Sequence, residues 1–111
     1  MAQPHTRSGE PVSIAPLGDA IGSARTTAVL KGRQLEVVRL VLQAGQRLRE
    51  HSAPGEVTVH VIEGEVDFGV PGAVHRLRAG DFIHLAPGEP HWLHAQRDTS
   101  ALVTIALGAP G

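Results

Sequence analysis

Val57-Thr58-Val59-His60-Val61-Ile62-Glu63-Gly64-Glu65 alternates apolar and polar side chains and then turns. Side chains two apart share a face of a β-strand, so Val57, Val59 and Val61 point one way while Thr58 and His60 point the other. Gly64 ends the run where the chain must reverse sharply, a position that suits a residue free to adopt positive φ. Asp81-Phe82-Ile83-His84-Leu85 repeats the pattern, with Ile83 and Leu85 opposite Phe82 and His84. Apolar residues on both faces imply a sheet covered on both sides. A core would cover the inner side, and a second copy of the chain is the economical cover for the outer one.

Outward from these strands, short segments rich in Val, Ile, Leu and Thr fill the chain from Thr26. They are Thr26–Leu30, Leu35–Leu42, Val57–Ile62, Glu65–Val70, Val74–Arg78, Asp81–Leu85, His91–Ala95 and Ala101–Leu107. Gly32, Gly45, Pro54-Gly55, Gly64, Pro71-Gly72, Gly80 and Pro87-Gly88 punctuate the gaps. Many short strands separated by turn chemistry, with no sustained helical repeat, predict an all-β sandwich or barrel. Residues 1–24 mix Pro, Gly, Ser and short apolar pieces and read as an N-terminal arm lying across the barrel or a partner subunit. Residues 25–108 read as the barrel domain.

The 111 residues suit one domain with one core, and 41% hydrophobic against 19% charged residues is a globular balance. Ten basic and eleven acidic residues leave a formal net charge of −1, and aromatics are 3%. Neither a basic field nor a set of stacking platforms points to nucleic acid or to an anionic membrane as partner. Met1–Pro11 lacks the apolar core of a secretory signal, and the apolar runs are too short to span a bilayer. With no cysteine, disulfides, thiolate metal sites and cysteine nucleophiles are excluded. A cytoplasmic protein is expected.

Seven histidines stand out in this composition. The stretch Gly45-Gln-Arg-Leu-Arg-Glu-His51-Ser-Ala53-Pro-Gly-Glu56-Val57, running on to Glu63-Gly64-Glu65, resembles the first cupin motif. Gly80-Asp81 with Pro87-Gly88-Glu89-Pro90-His91 resembles the second. The resemblance covers about residues 26–107 and implies a double-stranded β-helix, the jelly-roll barrel of that family. In cupins the two histidines and the glutamate of the first motif and the histidine of the second commonly hold Fe, Mn, Ni or Zn. By that resemblance His51 takes the first ligand position and His91 the last. Ala53 stands at the second, and Val57 stands at the glutamate position with Glu56 beside it. Two imidazoles make a weak site, so a divalent metal would need a third ligand from Glu56, His60 or His94. Alternation, however, sends His60 away from the valine face, and Glu56 reads as a solvated turn residue.

The remaining candidates carry less chemistry. Trp92 reads as core packing or as a wall of the pocket, His94 and His84 as structural groups, His75 and Arg76 as solvent-facing, and His5 as part of the arm. Arg47 and Arg49 could attract a carboxylate at the barrel mouth. Three functions fit. In the first, a metal-dependent oxygenase or isomerase would use His51 and His91 as ligands. In the second, a barrel binding a small molecule would use them as hydrogen-bonding groups, which Ala53 and Val57 favour by making the pocket more apolar. The third is a structural dimer. The expectation is a homodimeric single-domain cupin that binds a small molecule, or weakly a metal, at His51 and His91.

Overall fold

The computed structural model describes residues 5–108. Nine strands follow one short 3₁₀ helix at Gly18–Ser23: β1 Thr27–Lys31, β2 Leu35–Leu42, β3 Arg47–His51, β4 Val57–Glu63, β5 Glu65–Val70, β6 Ala73–Arg78, β7 Phe82–Leu85, β8 His91–Ala95 and β9 Thr99–Ala106. They form two antiparallel sheets ordered β1-β2-β9-β4-β7 and β3-β8-β5-β6. From β2 to β5 and again from β6 to β9 the chain alternates between the sheets, and the two inner faces close on one another as a jelly roll.

The valine alternation in β4 sets the register. Val57, Val59 and Val61 pair with Ile105, Val103 and Ala101 of β9, and all three valines are buried. From the opposite sheet Val66, Phe68 and Leu93 complete the same core. The turn at Gly64 has φ +94°, and a Cβ there would collide with the Asp98 carbonyl and the Thr99 side chain. The outward side chains form a row across the first sheet, Arg39–Leu102–His60–Phe82, each paired with the next in register.

One feature was not expected. Strand β3 lay outside the predicted segments because Arg47-Leu48-Arg49-Glu50-His51 has one apolar residue. It is an edge strand that pairs only with β8, and Leu48 is its one apolar residue to reach inward. The outer face of the first sheet, for which a second copy was the expected cover, is partly roofed by the chain itself. Arg39 is buried to 8% exposure and donates to the Ala15 carbonyl at 2.8 Å. Glu63 accepts from the amides of Leu17 and Gly18 at 2.8 and 3.0 Å. The arm therefore crosses the Arg39 end of the row, while Phe82 at the other end stays 62% exposed.

Candidate functional site

His51 closes β3 and His91 opens β8, and the antiparallel register makes them direct cross-strand partners. Their ring centroids lie 4.3 Å apart with the planes tilted by 56°. A register shift between Leu48 and His51 lets both Leu48 and His51 turn into the barrel. The pair lines an inner cavity of about 150 Å³ whose other walls are apolar, among them Leu40, Leu48, Val57, Val59 and Phe68.

Backbone carbonyls fix the state of both rings. His51 Nδ1 lies 2.9 Å from the Arg49 carbonyl, and His91 Nδ1 lies 3.1 Å from the Glu89 carbonyl. A carbonyl only accepts, so each Nδ1 carries a hydrogen, and in the neutral ring Nε2 is the nitrogen with the lone pair. No fully buried side-chain nitrogen or oxygen among the described residues lacks a partner. The His91 Nε2, which bonds to no atom of the described residues, is therefore open to the cavity. His51 is exposed at the mouth, whereas His91 is buried and stacked on Phe68, centroids 5.6 Å apart. Burial holds the His91 pKa below the ordinary imidazole value. Its hydrogen bond to the Glu89 carbonyl opposes that shift, and the neighbouring His51 reinforces it.

The other expected ligands are not brought to this pair. Glu56 is exposed and pairs with His84 at 2.8 Å, and Thr58, the register partner of His84, is on the outer face of β4. His60 faces outward between Leu102 and Phe82, as period-two alternation from the buried valines requires. His94 also faces outward, its Nδ1 accepting from Gln96 at 3.2 Å, beside the Asp67–Arg76 ion pair. Arg47 pairs with His94 on that outer face, and His75 is exposed. Trp92 lies outside the cavity, its indole pressed over Gly69, where any Cβ would collide with it. Ala53 is half-buried and packs against the core.

Among the described residues, no three His, Cys, Asp or Glu side chains are grouped to hold a metal ion. A catalytic ion ordinarily takes three protein ligands, and here the donor set stops at two imidazoles in apolar surroundings. The site does not fit a resident metal. Sequence reasoning missed Phe68, which backs His91. The signal was there in Val66 and Phe68, which alternate with the polar Glu65 and Asp67. The two carbonyls that orient the imidazoles had no such signal, because a main-chain acceptor has no residue type.

The comparisons agree with this architecture. The Cupin domain family model matches residues 38–107. An RmlC-like cupin protein from Desulfovibrio desulfuricans is 30% identical, with 93% of this chain and 98% of that one covered, at a TM-score of 0.69. A cupin superfamily protein from Desulfitobacterium hafniense superposes at a TM-score of 0.77 over 97% of this chain and 99% of that one, with 12% identity. A DMSP lyase from Ruegeria pomeroyi shares the fold at a TM-score of 0.71 and 22% identity, covering 87% of this chain and 54% of that one. No curated protein matches. The register of the inner faces, the paired histidines and the family match lead to one assignment: the chain belongs to the cupin family.

Proposed function

We propose that the protein binds a small, mainly apolar molecule in the barrel and receives a hydrogen bond from it at Nε2 of His51 or His91. The observation behind this reading is the locked tautomer. Two carbonyl-anchored imidazoles offer acceptors to a cavity that is otherwise hydrocarbon. An apolar cavity of about 150 Å³ is large enough for a benzene-sized molecule. The preferred ligand is thus a single ring or short branched chain bearing one hydroxyl group. Binding is favoured over turnover because the cavity lining has no carboxylate, hydroxyl or amine to act with the imidazoles.

Phenol titrated into untagged protein and followed by ligand-observed NMR tests the reading, with toluene as the matched compound lacking a donor. Saturable phenol binding, stronger than toluene and lost in His51→Ala/His91→Ala, is expected. Equal binding of both compounds would remove the role given to the imidazoles. Metal content measured on the same protein by elemental mass spectrometry checks the alternative. One equivalent of a transition metal lost in the double variant would replace this reading with a metal-centred one.

A second copy of the chain is proposed as the cover for the Phe82 end of the outer row, which the arm leaves bare. Light scattering should give a dimer that Phe82→Glu dissociates. A cytoplasmic setting fits the absence of cysteine.

A further inference from the structure

A second cleft lies outside the barrel, between the arm and the outer face of β1 and β2. Its volume is about 820 Å³, within the roughly 300–1,000 Å³ typical of small-molecule sites. Val12, Pro16, Leu17 and Val29 give it apolar walls, and Arg39 and Arg25 line it as well.

Arg39 is the unusual member. It is 92% buried by its 8% exposure, yet no carboxylate oxygen among the described residues lies within 4.0 Å of it. Its partners are neutral, the Ala15 carbonyl at 2.8 Å and the Ser13 carbonyl at 3.4 Å. A guanidinium has five N–H donors, so these two bonds leave capacity unused. Nε makes no hydrogen bond to the described residues, and since no fully buried side-chain nitrogen among them lacks a partner, it is accessible from the cleft. Glu63 lies close enough to feel the Arg39 charge. Burial pushes its pKa up, but the Ser100 hydroxyl, the Leu17 and Gly18 amides and the Arg39 charge outweigh that and hold it low. Its oxygens are directed at Ser100, Leu17 and Gly18 rather than at Arg39.

A buried cation without a hydrogen-bonded counter-ion is costly, and an incoming anion would relieve that cost. Guanidinium groups match planar or tetrahedral oxyanions through paired N–H donors. Arg25 is exposed at the rim, placed to add a second charge. With a net charge of −1 the chain as a whole does not draw anions, so any attraction is local to this cleft. We infer that the cleft beneath the arm binds a small molecule carrying an oxyanion, a carboxylate or a phosphate, held by Arg39 and Arg25 and distinct from the barrel site.

Calorimetric titration of the full chain with benzoate and, separately, with inorganic phosphate at low ionic strength tests this. Saturable binding of at least one probe is expected, unchanged in His51→Ala/His91→Ala. Arg25→Gln, which leaves the Arg39–arm hydrogen bonds in place, should weaken it about tenfold, the scale of one charge-assisted hydrogen bond. Arg39→Gln should abolish it. Benzoate alone would identify a carboxylate with an apolar body, and phosphate alone a phosphoryl group. The inference is overturned if neither probe saturates, if the histidine variant loses binding, or if Arg25→Gln binds as the parent does.

Discussion

The imidazole of His91 lies almost parallel to the Phe68 ring, with 5° between their planes. Phe68 is fully buried and lines the cavity, so it both supports the ring and closes the pocket floor. Phe68→Ala removes that support and enlarges the cavity. The expected cost is about 3–5 kcal/mol in urea unfolding, the usual range for losing a core phenylalanine. Phenol affinity should fall as well, since His91 loses the surface that holds its orientation. A loss below about 1 kcal/mol would mean that the site collapses readily and that Phe68 is not a structural floor.

Burial makes His91 harder to protonate when folded than when unfolded, with His51 acting in the same direction. The unfolded chain takes up the proton near the ordinary imidazole value of 6.5, while the folded chain does so only at lower pH. This contribution is therefore complete above that value and is lost as pH falls from it toward the depressed folded pKa. Urea midpoints measured from about pH 8 down to about pH 5 should decline in the parent. His91→Gln should show a shallower decline over the same interval. Identical slopes would place the acid sensitivity in other groups.

Alternation made the inner face legible from sequence. Val57, Val59 and Val61 could be placed inward, and His60 outward, because period two leaves little choice once one face is apolar. His51 and His91 came together because the turn chemistry around them fixes a known barrel. Two things were not legible. Strand β3 is mostly polar and exists as a ladder partner of β8 rather than through its own pattern. The arm's hold on Arg39 and Glu63 depends on main-chain carbonyls and amides, which carry no sequence signature. Glu56 looked close to a ligand position, but next to Val57 it must project from the opposite side, where His84 meets it.

Trp92 and Gly69 are register partners on the outer face of the second sheet, and the indole occupies the space of the missing Cβ. Gly69→Ala forces the indole or the strand to move, with an expected destabilisation of about 1–3 kcal/mol, as for overpacking. Trp92 is the chain's one tryptophan, so its fluorescence reports this contact alone. A red shift on substitution is expected because the ring is lifted toward water. An unchanged spectrum with unchanged stability would show that the indole is not seated on Gly69.

Val57 lines the cavity with His51 and His91, from the sheet opposite theirs. In the parent it supplies only hydrocarbon, and the two imidazoles fall one ligand short of a catalytic set. Val57→Glu places an acid in a buried, apolar site, so the metal-free variant should be destabilised by several kcal/mol. A divalent ion bridging the introduced carboxylate and the two imidazoles would offset that cost, since ligand binding to the folded state stabilises by mass action. The variant should thus melt below the parent in chelator, recover with added zinc or nickel, and carry about one equivalent of metal by elemental mass spectrometry. The parent, treated identically, should show neither the recovery nor the stoichiometric metal. If zinc leaves the variant's melting unchanged, a shortage of ligands is not what sets metal affinity here, and the apolar shape of the cavity must be the deciding factor.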